Sequence, residues 1–158
     1  KRWVIGKAGS ISDLQVEEFS SEDLETPADF AKIEVKAVGL NFADIFACQG
    51  LYSATPKGKF CPGLEFSGVI IELGKGSDQK TSLKVGDRVM GVTRFGGYST
   101  CLVVNVLHIR PIPDKWSFEE GAGFLCTAMT AWYGLVTLGG LKAGHEVLVH
   151  SAAGGVGL

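Results

Sequence analysis

Through the first 115 residues the hydrophobic positions recur mostly with the period of a strand. From Ala31 to Leu40, Ile33, Val35 and Ala37 alternate with Lys32, Glu34 and Lys36, which predicts a half-buried strand. Runs at Arg2–Ile5, Leu14–Phe19, Arg88–Val92, Tyr98–Asn105 and His108–Ile112 predict further short strands. Turns at Gly9-Ser10, Gly86-Asp87 and Gly96-Gly97 separate them. Glu65–Leu73, EFSGVIIEL, is another strand, entered from a turn at Pro62-Gly63. The stretches Ser20–Asp29, Tyr52–Phe60 and Gly74–Lys84 are polar or proline-bearing and read as loops. One short helix interrupts the strands: Asn41 can cap a helix over Ala43–Cys48, which Gly50 closes.

The pattern changes after residue 115. Ser117 and Glu120 form an S-x-x-E capping box that opens a helix. Cys126–Leu138, CTAMTAWYGLVTL, continues as a largely apolar helix ending at Gly139-Gly140. Glu146–His150 is a short β-rich apolar run, as in a strand buried on both faces. It leads straight into Ser151-Ala152-Ala153-Gly154-Gly155-Val156-Gly157. A glycine-rich turn between a strand and a helix can cradle a pyrophosphate, because glycines let backbone approach phosphate oxygens and N–H groups face the anion. On that reading Ala153, Gly154, Gly155, Val156 and Gly157 are the nucleotide contacts, and Ala152 stands where the usual pattern has its first glycine. A tight turn with no ligand is the other reading of these residues taken alone. The chain thus divides into a strand-rich region, 1–115, and a region of two helices, one strand and a glycine turn, 116–158.

Composition bounds the rest. A chain of 158 residues, 46% hydrophobic and 20% charged, can bury one sizeable core. A net charge of −2 gives no support for nucleic acid or an anionic membrane surface as partner. No apolar run reaches the roughly 18 residues of a membrane span. Cys48, Cys61, Cys101 and Cys126 are widely spaced with no C-x-x-C pair, which points to a reducing compartment, the cytoplasm, rather than a disulfide framework.

Five segments, in order, resemble the medium-chain dehydrogenase/reductase superfamily. They are Val38-Gly39-Leu40-Asn41-Phe42-Ala43-Asp44, Gln49-Gly50-Leu51-Tyr52, Pro62-Gly63-Leu64-Glu65-Phe66-Ser67-Gly68, Val85-Gly86-Asp87-Arg88-Val89, and Ser151 to Gly157. The resemblance implies a mixed α/β chain: a GroES-like β-barrel catalytic domain over 1–115, then linker helices and the start of a Rossmann nucleotide-binding domain over 116–158. Zinc-dependent members place a Cys in the first motif, a His in the third, and a further ligand ahead of a threonine in the later helix. Here Asn41 and Leu64 occupy the first two positions, and only Cys126, ahead of Thr130, is of a ligand type. A zinc site needs three protein ligands and an open position, so no metal is expected. Within the zinc-free branch the motifs look closest to the vesicle amine transport protein family, with quinone oxidoreductases of the zeta-crystallin type and synthase enoyl reductases near.

This resemblance implies an NADPH-dependent reductase of quinones or α,β-unsaturated carbonyls, a homodimer when full length. An enoyl reductase module of a polyketide or fatty acid synthase and a non-catalytic, membrane-associated family member are the alternatives. Without a Lewis acid, charge developing on the acceptor oxygen must be met by hydrogen-bond donors or solvent. Asn41 can supply an amide donor, act as a helix cap, or both. Asp44 can orient Asn41 or a water, or be a first-turn helix charge. Tyr52 can offer its phenol to substrate or nicotinamide, or be a packed loop aromatic. Thr130 matches the family threonine near the nicotinamide, or is a core threonine.

Overall fold

Pairing follows the predicted periodicity closely in the strand-rich region. The computed structural model describes residues 1–158. Its first strands, β1 (Arg2–Val4) and β2 (Gln15–Glu17), form a small antiparallel ribbon. The next five, β3 (Phe30–Val38), β4 (Glu65–Leu73), β5 (Arg88–Val92), β6 (Cys101–Asn105) and β7 (Ile109–Pro111), form one antiparallel sheet in the order β6-β3-β4-β5-β7. Register shifts at Lys32/Ile33 and Val35/Ala37 break the β3–β4 ladder, and such bulges bend a strand and increase its twist. Isolated bridges Arg2–Ser99 and Ile5–Phe60 fasten the ribbon to this body. Within this chain β6 and β7 remain edges, so hydrogen bonding does not close the sheet into a complete barrel.

The core lies on one face of the sheet. Ala31 and Ile33 from β3, Phe66 and Ile70 from β4, Val89, Leu102, Val104, Val106 and Ile109 form one buried cluster. Each large side chain there contributes about 1.5–3 kcal/mol by leaving water. Central β4 is buried on its other face too, where helix packing covers it. That is why EFSGVIIEL starts without a polar alternation: Glu65, Phe66, Ser67 and Gly68 are all buried. A smaller cluster joins Ile5, Phe60, Ala47 and Cys48, with Tyr52 and Phe95 packed against it.

Three helices complete the fold. α1 (Phe42–Gln49) starts at N-cap Asn41 and ends at Gly50, whose φ of 76° is the left-handed conformation that favours glycine. α2 (Phe118–Ala122) starts at Ser117, where Ser117 Oγ accepts from Glu120 N–H and the Glu120 carboxylate accepts from Ser117 N–H. Ser67 Oγ donates to Phe118 C=O, and Arg88 donates to Trp116 C=O while stacking over the Phe118 ring. These contacts seat α2 on β4 and β5. α3 (Leu125–Trp132) follows, and Tyr133–Leu138 continues it as a wider π-helical turn. No helix is long and apolar enough to cross a membrane.

Several expectations need correction. The strands predicted at Leu14–Phe19, Tyr98–Asn105 and His108–Ile112 shorten to Gln15–Glu17, Cys101–Asn105 and Ile109–Pro111. Ser10, Ser20 and Asn105 cause part of this, because their side chains accept from backbone N–H groups and start 3-10 turns. The strand predicted at Glu146–His150 does not form: it pairs with no other segment, and Leu148 is 83% exposed. A strand needs a neighbour for its N–H and C=O groups, whatever the apolar content of its side chains.

Candidate functional site

The end of β3, the start of α1 and the start of β4 converge on two buried carboxylates. Asp44, in the first turn of α1, is only 4% exposed. Its Oδ2 accepts from Asn41 N–H at 2.9 Å and from Tyr98 O–H at 3.0 Å, and its Oδ1 accepts from Gly63 N–H at 3.2 Å. Burial pushes the Asp44 carboxyl up from its ordinary range, while the three donors pull it back down. Asp44 therefore ties the start of α1 to the Pro62-Gly63 turn and to Tyr98. The Tyr98 phenol is pushed up in turn, first by burial and then by the Asp44 charge.

Glu65, the first residue of β4, is 1% exposed. Its Oε1 accepts from Asn41 Nδ2 at 2.9 Å and its Oε2 accepts from the backbone N–H of Cys126 at 2.9 Å. The Asn41 side chain is thus engaged with Glu65; the reach-back bond at the start of α1 comes from Asp44. The Cys126 thiol is pushed up to about 12, by burial first and by the Glu65 charge second, so it is protonated at neutral pH.

Two glycines make this packing possible. A Cβ on Gly39 would lie 2.3 Å from Glu65 Oε1 and 2.5 Å from Ala122 C=O. Gly63 has a φ of 101°, and a Cβ there would lie 2.5 Å from the Tyr98 nitrogen.

The predicted residues fall into two groups and one outlier. Asn41 and Asp44 come together around the motif carboxylates. Tyr52 stands apart from them: its ring packs against the cluster of Ile5, Ala47, Cys48 and Phe60. Thr130 is exposed on α3, where its hydroxyl donates to Cys126 C=O at 2.6 Å. Thr130 lines a groove of about 1000 Å³ together with Gly155, Val156 and Gly157. Ala153 and Gly154 belong to the same turn without lining that groove. Gly155 packs on Thr127 of α3, and a Cβ on Gly157 would lie 2.6 Å from Ala152 backbone.

Sequence reasoning missed Tyr98 as a partner of Asp44, and no local signal could have found it, since 54 residues separate the two. Glu65 did carry a signal: an acidic residue heading an apolar strand and fully buried needs partners. No three His, Cys, Asp or Glu side chains converge to a cluster that could hold a metal ion.

Comparison with known proteins agrees with this architecture. Residues 27–131 match the alcohol dehydrogenase GroES-like domain. The human synaptic vesicle membrane protein VAT-1 homolog is 43% identical over 126 residues, covering 80% of this chain and 31% of that protein. The Escherichia coli quinone oxidoreductase complexed with NADPH superposes with a TM-score of 0.86 at 32% identity, over 99% of this chain and 46% of that one. The CurK enoyl reductase superposes with a TM-score of 0.83 at 34% identity, over 99% of this chain and 48% of that one. The chain therefore spans a third to a half of these relatives, and it belongs to the alcohol dehydrogenase GroES-like domain family, in the medium-chain dehydrogenase/reductase superfamily near the VAT-1 homologues and quinone oxidoreductases.

Proposed function

We propose that the full-length protein is a zinc-independent, NADPH-dependent reductase that transfers hydride to quinones or α,β-unsaturated carbonyls. The Asn41 amide carries this reading. Glu65 accepts from its Nδ2 at 2.9 Å, and Asn41 is only half-buried, so the pinned amide keeps a second N–H to offer. A pinned amide donor can stabilise negative charge on an acceptor oxygen without reorganising as the charge develops. Quinones and enones suit such a site because they delocalise the incoming charge. Asn41 and Leu64 replace the thiolate and imidazole of zinc-dependent members, which leaves Cys126 short of the partners zinc needs.

The residues fit a dinucleotide in donor chemistry. The N–H groups of Ala152, Ala153, Gly155 and Val156 have no acceptor within the chain, and four free N–H groups in one turn match a pyrophosphate. Thr130, Ala153, Gly154, Gly155, Val156 and Gly157 would hold the cofactor, with 116–158 leading into the nucleotide-binding domain. The nicotinamide supplies hydride when bound. Asn41 donates to the acceptor oxygen. Asp44 and Glu65 hold the segment that carries Asn41, and the Tyr52 hydroxyl, which has no partner within the chain, remains open to substrate. The likeness to an oxidoreductase solved with NADPH supports the cofactor. The same reading gives a homodimer in the cytoplasm, which sedimentation and cell fractionation would test.

Likeness to CurK over nearly the whole chain favours a second reading, an enoyl reductase module of a synthase. Likeness to a synaptic vesicle membrane protein keeps a non-catalytic, membrane-associated role as the third. Steady-state NADPH oxidation by the full-length protein, with quinone, simple enone and enoyl thioester panels, separates the three. Turnover of enoyl thioesters alone favours the module, and no oxidation of NADPH refutes the reductase reading. Asn41→Ala is expected to lower kcat by about 10- to 10³-fold with a smaller rise in KM. Asn41→Asp keeps the shape and removes the donors, so it is expected to be at least as damaging. If Asn41→Asp keeps full activity and Asn41→Ala only lowers Tm, Asn41 is a helix cap alone.

A further inference from the structure

We infer that Glu65 is a positioning residue for the reduction proposed above: it fixes which edge of the Asn41 amide faces the acceptor and ties that amide to α3. The inference rests on the reductase reading. An amide can exchange its oxygen and nitrogen by a half-turn of the side chain, and nothing in Asn41 itself selects one orientation. Glu65 selects it. An ionised carboxylate only accepts hydrogen bonds, so the Asn41 atom set against its Oε1 must be Nδ2. The other oxygen is committed to the backbone N–H of Cys126, a donor that cannot turn away.

Glu65 has no room to relax from this arrangement. It is 1% exposed, and its Oε1 and Cγ crowd Gly39 so closely that a single added carbon would fall 2.3 and 2.5 Å from them. Cys126 carries the connection onward, because its C=O accepts from the Thr130 hydroxyl at 2.6 Å. One hydrogen-bonded path, Asn41–Glu65–Cys126–Thr130, thus runs from the first turn of α1 to the groove that Thr130 shares with Gly155, Val156 and Gly157. Glu65 sets the amide donor in register with the helix that carries the candidate cofactor contact.

Glu65→Gln in the full-length protein tests this. The oxygen of the substituted side chain is expected to keep the Cys126 N–H, which leaves its NH₂ facing Asn41. Asn41 then turns over to present Oδ1, and its donor edge moves. A misplacement on the order of 1 Å costs on the order of 10² in rate, so kcat is expected to fall about 10- to 100-fold. KM for the acceptor and Kd for NADPH are expected to stay within about threefold. Glu65→Asp keeps the charge but is one methylene shorter, and the same split between kcat and Kd is expected. In the double variant Glu65→Gln/Asn41→Asp the pair is satisfied again, so Tm is expected to recover while kcat stays low.

A wild-type kcat in either single variant, or activity that recovers together with Tm in the double variant, overturns the proposal. The Asn41 side-chain resonances in a ¹⁵N correlation spectrum read the lock without turnover. They are expected to move in Glu65→Gln, and unchanged resonances overturn the lock. If the wild-type protein oxidises no NADPH with any acceptor, the reductase reading falls by itself, and these resonances still decide whether Glu65 orients Asn41.

Discussion

Gly39→Ala probes the packing around Glu65 with one carbon atom. Its backbone φ is not in the left-handed region, so alanine is allowed there in isolation. The cost must come from contacts. The new Cβ would lie 2.3 Å from Glu65 Oε1, 2.5 Å from Glu65 Cγ and 2.5 Å from Ala122 C=O. Two responses are open to the protein. Glu65 can move and break its bonds to Asn41 and Cys126, each worth about 1.5–3 kcal/mol as a bond to a charged group. Alternatively the β3–α1 connection can shift, an overpacking response that costs about 1–3 kcal/mol. The cheaper second route dominates. The loss of backbone freedom in the unfolded chain offsets about 0.4–1 kcal/mol of it. Because the opposing atoms are a pinned carboxylate and a backbone carbonyl, the shift falls in the upper part of its range, and the net destabilisation is about 2 kcal/mol. Urea unfolding of the full-length protein, followed by circular dichroism, measures it. Gly9→Ala is the matched control, since no atom lies within 4 Å of its Cβ position and its φ is not positive, so only the unfolded-chain gain of about 0.4–1 kcal/mol is expected. A Gly39→Ala protein within about 0.5 kcal/mol of wild type would refute the packing argument.

Two further outcomes follow from the buried acids and thiols. Tyr98→Phe removes one of the three donors to Asp44 and is expected to cost about 1.5–3 kcal/mol at pH 7. The folded-state pKa of Asp44 is already raised, and losing a donor raises it further. Protonation then favours the folded state, so the cost is greatest at neutral pH and shrinks as pH falls toward the raised pKa; a deficit equal at pH 7 and pH 5 would show that the bond does not support the Asp44 charge. Burial holds Cys61 at about 11 and Cys126 at about 12, so both should react with iodoacetamide more slowly than a free thiol at pH 8, and peptide mass spectrometry showing rapid labelling of either would contradict their placement. Their folded-state pKa values lie above the ordinary 9.0, so stability from them is intact below pH 9 and declines as pH climbs toward 11–12.

Local chemistry in the sequence decided a good deal. Alternation over Ala31–Leu40 sets the inward face of β3, with Ile33 buried in the main cluster. Ser117 and Glu120 fix the start of α2, and Asp44 and Gly50 bracket α1, because capping groups act on backbone N–H and C=O groups within four residues of themselves. The motifs likewise named Asn41 and Asp44 as neighbours, which one helical turn guarantees. What the sequence could not decide depends on partners far along the chain. Tyr98 meets Asp44 and Cys126 meets Glu65 only because β3, β4 and the later helices fold against one another. Tyr52 packs its ring against the cluster around Ile5 and Phe60, a placement its motif did not reveal, since a large ring settles where apolar surface is available. Glu146–His150 shows the limit from the other side. Its apolar side chains state a preference for burial, but a strand exists only when a second backbone completes its hydrogen bonds, and that pairing is a property of the folded neighbourhood.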